Sequence, residues 1–253
     1  VTKLLILGGT TEASALAAWL VDRPEFNALL SFAGTTRTPR PPPIPYRVGG
    51  FGGPQGLANF LRNGGYQVMI DATHPFAAQM KRNAAEAARL AGIDLLAIHR
   101  PAWHAVPGDK WHHVPDMAHA AQALGATPRR ILLTIGQKDL AAFKAAPWHH
   151  YIVRSVDPPD TDSLPPHAEI IAARGPFLLA DELALLRGSH VSALVTKNSG
   201  GTATMAKLEA ARICGVEVVM IDRPEPQIGV ATVQDPAQAK AWLRAHAGTD
   251  RGL

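Results

Sequence analysis

The chain has 253 residues, 47 % of them apolar and only 18 % charged, enough for one large or two modest domains and too few charges for extended disorder. The net charge of +4, from 25 basic and 21 acidic residues with no Lys/Arg block, suits a small anionic ligand and argues against a nucleic-acid track. A single cysteine, Cys214, excludes an internal disulfide, and no apolar run approaches the ~18 residues of a membrane span, so a soluble, cytoplasmic protein without membrane association is expected.

In chain order, Lys3–Leu7 reads as an apolar strand, Glu12–Val21 as a helix and Ala28–Ala33 as a second strand. A short strand at Val48, a helix over Gln55–Arg62 and a strand over Gln67–Ile70 follow. A helix over Phe76–Ala91, with Pro75 fitting its first position, then leads to a strand over Asp94–Ile98. Further strands are expected at Ile131–Ile135, Tyr151–Val153, Glu169–Ala172, Ser192–Val195 and Glu217–Ile221. Strands alternating with helices in this way predict an α/β protein with parallel sheets covered on both faces.

An internal repeat organises these elements. Gly52–Pro101 falls onto Gly175–Pro224 without a gap: Glu86-Ala87-Ala88-Arg89 lands on Glu209-Ala210-Ala211-Arg212, Gly92 on Gly215, and Arg100-Pro101 on Arg223-Pro224. Val114-Pro115-Asp116 likewise resembles Val233-Gln234-Asp235, each opening an Ala-rich helix. The repeat predicts two tandem Rossmann-like domains, 1–126 and 127–253, with a ligand cleft between them. Which sheet the short strands near Val114 and Val233 join is left open.

Parallel open sheets bind ligands beyond the carboxyl ends of their strands, so the loops there are the ones to read. Gly8-Gly9-Thr10-Thr11 follows the first strand and opens a helix. It is either a phosphate loop, with glycines that admit close backbone approach, or a tight turn with Thr10 or Thr11 as the N-cap. After the second strand, Thr35-Thr36-Arg37 stands where an acidic residue would favour NAD, and suits a 2′-phosphate. The loop Asp71-Ala72-Thr73-His74-Pro75 brings Thr73 and His74 to the mouth of the sheet, where a nicotinamide or a substrate would lie; His74 is the candidate catalytic residue.

The second half is more basic at the same edge. Lys138, Arg154, Arg174, Lys197 and Arg223 each follow a successive strand, and Lys197-Asn198-Ser199-Gly200-Gly201 is an anion loop in composition. Single surface cations normally pair with helix faces, but five at one edge point to a ligand with several carboxylates or phosphates. The histidines His104, His112, His113, His119, His149 and His150 lack a ligand spacing, so no metal is expected.

These segments together resemble the precorrin-6A reductase family of cobalamin biosynthesis. The matching residues are Ile6-Leu7-Gly8-Gly9-Thr10 with Glu12-Ala13, Asp71-Ala72-Thr73-His74-Pro75-Phe76-Ala77, Ile135-Gly136 with Lys138, and Gly175-Pro176-Phe177. Thr196-Lys197-Asn198-Ser199-Gly200, Lys207-Leu208-Glu209-Ala210-Ala211 and Asp222-Arg223-Pro224 complete the series in order along nearly the whole chain.

The resemblance implies that NADPH reduces one macrocycle double bond of precorrin-6A to give precorrin-6B. The coenzyme would lie on the first half (Gly8, Gly9, Thr10, Thr11, Thr35, Thr36, Arg37, Thr73, His74) and the tetrapyrrole carboxylates on the second (Lys138, Arg154, Arg174, Lys197, Asn198, Ser199, Gly200, Arg223). The partners implied are the tetrapyrrole itself and neighbouring pathway enzymes, with no nucleic acid and no membrane. The alternatives are a nicotinamide-dependent reductase of a smaller polycarboxylate and a non-catalytic dinucleotide-sensing protein built on the same Gly8-Gly9 loop.

Overall fold

The structure is a computed structural model that describes residues 1–34, 40–225 and 228–249, with side chains of the last helix described through His246. It divides into two compact units: Val1–Pro101 with Pro224–Leu253, and Ala102–Arg223. The expected boundary near residue 126 is therefore not where the units divide. The chain crosses over at both of the Arg-Pro dipeptides that the repeat aligned, Arg100-Pro101 and Arg223-Pro224.

The first unit opens with β1 (Thr2–Leu7), α1 (Thr11–Leu20), β2 (Phe26–Phe32), β3 (Tyr46–Val48) and α2 (Gly53–Asn63). It continues with β4 (Val68–Asp71), α3 (Ala78–Ala91) and β5 (Asp94–Ile98). The second unit contributes β6 (Trp111–Val114), α4 (Met117–Ala123), β7 (Arg130–Thr134), a 3₁₀ segment over Gln137–Ala145, β8 (His150–Ser155) and β9 (Ala168–Ala172). It ends with α5 (Leu179–Gly188), β10 (Ala193–Lys197), α6 (Ala206–Cys214) and β11 (Glu217–Ile221). The chain then returns to the first unit for β12 (Ala231–Val233) and α7 (Pro236–Thr249).

Each unit holds one six-stranded parallel sheet. Their orders are β3-β2-β1-β4-β5-β12 and β9-β8-β7-β10-β11-β6. Both follow the doubly wound 3-2-1-4-5-6 pattern, but the sixth strand of the first sheet returns from beyond the second unit, and the sixth strand of the second precedes that sheet's other strands in the chain. β6 follows β5 in the chain yet pairs with β11, Val218↔Trp111 through Ile221↔Val114. β12 follows β11 yet pairs with β5, Ala231↔Leu96 through Val233↔Ile98. The Val114 and Val233 segments that the repeat matched are thus exchanged between the two sheets.

Burial explains the apolar runs. Along β1, Leu4 and Ile6 pack with α1 and α7, while Leu5 and Leu7 pack on the opposite face with α2 and α3. A strand covered on both faces has no polar alternation, as expected for a parallel sheet. In the second unit Leu132, Ile152, Leu194, Val218 and Met220 form one core with Leu208 and Ala211 of α6. The repeat also shows in the caps: Gly92 and Gly215 end α3 and α6 in the left-handed region at the same φ of 68°.

One expected helix start is corrected. α3 begins at Ala78, and Pro75 lies in a turn before it, so Pro75 is not the first helical residue. His74 makes that turn itself: its carbonyl accepts from Ala77 N, and its Nδ1 accepts from Phe76 N at 3.2 Å.

Candidate functional site

In the first unit, the loop after β1 and the loop after β4 meet at the point where strand order reverses. Thr10 joins them. Its hydroxyl donates to Ala72 O at 2.7 Å and accepts from Ala13 N at 3.3 Å, so Thr10, not Thr11, is the N-cap of α1. Gly8 is there for packing, since a Cβ would stand 2.7 Å from Leu30 Cδ1. Gly9 is there for its backbone: its φ is 115°, and nothing lies within 4 Å of where a Cβ would be. That open approach to the N-terminus of α1 fits the phosphates of a dinucleotide.

Glu12 stands in the first turn of the same helix and would repel a phosphate if left alone. Arg100 Nη1 donates to both of its oxygens, at 2.9 and 2.8 Å. Burial pushes the Glu12 carboxyl up, but the Arg100 hydrogen bond and charge outweigh it and hold the group below its ordinary value. Arg100, a partner of Arg223 in the repeat, thus neutralises the acid beside the glycine loop.

The β4 loop is held by Asp71. Its Oδ1 accepts from Thr73 N at 2.9 Å and Thr73 Oγ1 at 2.6 Å, and its Oδ2 accepts from Lys81 Nζ at 3.2 Å. Thr73 is buried and serves this turn, while His74 is half-buried, with its Nδ1 used as an acceptor. A neutral His74 therefore carries its proton on Nε2. Asp71 and Lys81 also line a cleft with Pro75, Leu95, His99 and Thr232. Lys81 is not among the residues that the sequence singles out; its one signal there is a lysine one turn into the helix that follows Asp71.

Thr35, Thr36 and Arg37 lie outside the described residues. Beside the end of β2, Arg47 donates to Ser31 Oγ at 3.0 Å and to Gly49 O at 2.9 Å. Its guanidinium lies 4.0 Å from the centre of the Phe51 ring.

In the second unit the five cations are not equivalent. Lys138 and Arg174 are exposed, in the segments after β7 and β9. Lys197 is half-buried and pairs with Asp139 at 2.5 Å. Arg223 Nε donates to Asn198 O at 2.6 Å, bracing the loop after β10. Arg154 is turned inward: it is 8 % exposed, donates to Glu182 Oε1 and lies over the Phe177 ring.

The 197–201 loop has a built shape. Asn198 Oδ1 accepts from Trp103 N at 2.8 Å and its Nδ2 donates to Trp103 O at 3.1 Å, while Trp103 Nε1 donates to Gly201 O at 3.0 Å. Ser199 N turns back to Lys197 O at 2.7 Å, and Gly200 and Gly201 follow with φ of 64° and 83°. Successive left-handed glycines give the backbone the tight curvature that anion-binding concavities use. Asn198 is spent on Trp103, so its part in the site is to shape the loop. Lys207, 4 % exposed at the start of α6, lies beneath this region; in the sequence it stands out only as part of the Lys207-Leu208-Glu209-Ala210-Ala211 motif.

Among the described residues, no three His, Cys, Asp or Glu side chains converge as a metal site would require, and no helix is long and apolar enough to cross a membrane.

A family model described as "Precorrin-6x reductase CbiJ/CobK" matches residues 3–244. A precorrin-6A reductase of Rhodococcus erythropolis is 49 % identical over 242 residues, covering 96 % of this chain and 97 % of that protein. A precorrin-6A reductase of Rhodobacter capsulatus is 46 % identical over 253 residues, covering 100 % of both. A solved structure titled "CobK precorrin-6A reductase" superposes with a TM-score of 0.92 at 46 % identity, covering 97 % of each chain. With the family model matching nearly the whole chain and relatives 46–49 % identical along it, the chain belongs to the precorrin-6x reductase family.

Proposed function

We propose that the protein reduces precorrin-6A to precorrin-6B with NADPH. The observation that carries this reading is the Gly8-Gly9-Thr10 turn, open at Gly9 and fastened to the β4 loop, at the switch point of a 3-2-1-4-5-6 sheet. Family membership supplies the substrate, and NADPH, when bound, supplies the hydride.

The chain's own residues do the rest. Gly8, Gly9, Thr10 and Thr11 receive the pyrophosphate at the N-terminus of α1, with Glu12 neutralised by Arg100. Thr35, Thr36 and Arg37 take the 2′-phosphate. Thr73 and His74 border the nicotinamide, and His74 Nε2 holds the proton for the carbon next to the one that is reduced. In the second unit Lys138, Arg174 and Lys197, with Ser199 and Gly200, receive the acetate and propionate groups. Arg154 and Arg223 set the loops in place through Glu182 and Asn198. The cytoplasm, where NADPH is maintained, is the compartment that suits this chemistry.

The test is an anaerobic incubation with precorrin-6A and NADPH. Nicotinamide oxidation should match, mole for mole, a product heavier by two hydrogens. NADPH binding without oxidation would favour the sensing alternative, and oxidation only with a small polycarboxylate would favour the other.

A further inference from the structure

Lys207 is a cation where almost everything disfavours one. It is buried, and it is the second residue of α6, next to the positive end of the helix dipole. Arg154 of β8 adds a like charge nearby, and Glu182 of α5, which opposes it, is already bonded to Arg154 through Oε1. Glu182 Oε2 is buried with no hydrogen-bond partner among the described atoms. The amine has a donor contact to Thr134 Oγ1 of β7 at 3.1 Å and lies 5.6 Å from the centre of the Trp103 ring. Burial first, then Arg154, bring its pKa down to about 7 against the pull of Glu182. A methionine would fill the same space without this cost, so the amine calls for a role.

Its contacts say where that role acts. Thr134 is the last residue of β7 and leads into the loop that carries Lys138. Trp103 is bonded to Asn198 and Gly201 in the loop after β10. Lys207, only 4 % exposed, therefore lies beneath both basic loops of the second unit. Arg154 and Glu182 cancel, which leaves Lys207 to set the net charge of the buried cluster.

We propose that Lys207 is a positioning residue for the anionic substrate, a buried amine that takes a proton from solvent when a polycarboxylate docks on the two loops and so adds a cation beneath them. The inference rests on the reading of the second unit as the carboxylate-binding face. The proton stays on Lys207; the reaction draws its own from elsewhere. A single carboxylate about 10 Å away, at an effective dielectric constant of about 20, favours the charged amine roughly tenfold. Near neutral pH that shift corresponds to the uptake of about 0.4 proton.

The experiment is calorimetric titration of the whole protein with uroporphyrin I, a stable tetrapyrrole octacarboxylate, at pH 7 in two buffers of different ionisation heat. The wild-type protein should take up about 0.4 proton more than Lys207→Met and bind several-fold more tightly. Lys207→Gln serves as the second variant should the methionine protein fail to fold, and thermal melting confirms that each is native. An equal proton count in wild type and variant, with binding intact, would overturn the proposal alone. No binding of uroporphyrin I to the wild type would overturn the carboxylate-face reading and the proposal with it.

Discussion

The Arg154 guanidinium lies 4.0 Å from the centre of the Phe177 ring and donates to Glu182 Oε1, with the two charged side chains 6 % and 1 % exposed. This pair buries one of the five strand-end cations against an acid of the second unit's own framework. Breaking a buried pair leaves an uncompensated charge. Glu182→Gln should therefore cost about 3–5 kcal/mol in urea denaturation. A loss under 1 kcal/mol would mean that the pair is solvated and Arg154 available to a ligand.

Arg174 and Lys138 present the opposite case. Both are exposed at the same edge of the second sheet. Lys138→Ala should leave the melting temperature within a degree or two of wild type, and Arg174→Ala is to be compared with it. Each should weaken binding of uroporphyrin I, the arginine more than the lysine because its planar fork matches a carboxylate, with NADPH binding unchanged. Unaltered tetrapyrrole affinity in both variants would leave the carboxylates without these partners.

Thr10 has two tasks, capping α1 and fastening the β1 loop to Ala72 O. Thr10→Val keeps the shape and removes both hydrogen bonds. Stability should fall by about 1 kcal/mol, typical of a lost N-cap, and the KM for NADPH should rise. A variant with lower stability but native KM would confine Thr10 to its structural task.

The proposed function makes Arg37 the residue that selects the coenzyme. A charge-assisted hydrogen bond to a 2′-phosphate contributes about 1.5–3 kcal/mol, so Arg37→Ala should cut the preference for NADPH over NADH by tenfold or more. Steady-state kinetics with both coenzymes decide this; equal losses with both would move the 2′-phosphate contact elsewhere, Arg47 being the first position to examine.

Lys207 should leave a signature in stability as well as in binding. Its amine has a pKa of about 7 in the folded protein and an ordinary value of 10.5. Between these values the unfolded chain holds the extra proton, so stability should rise with pH across that window and be insensitive to this group below it. Denaturation of wild type and Lys207→Met at successive pH values should show the rise in the first and its absence in the second. Parallel curves would assign the rise to other groups.

The α/β class, the duplication and the loops that face the ligand were legible from residue order alone, because they depend on local pattern. Leu4–Leu7 is apolar without alternation because both faces of its strand are covered, and Gly92 and Gly215 recur because each helix ends in the left-handed region. Strand exchange was not legible. β6 and β12 are short edge strands with few buried residues, and parallel pairing is made by backbone groups that every residue carries, so nothing in Val114 or Val233 names its partner. The fate of the cations was hidden for a related reason. Whether Arg154 faces a ligand or Glu182 depends on how β8 packs against α5, and Lys207 became a titrating group only because α6 places it under Trp103 and Thr134. Charge is written in the chain, but the solvation that gives a charge its energy is decided by what the fold packs around it.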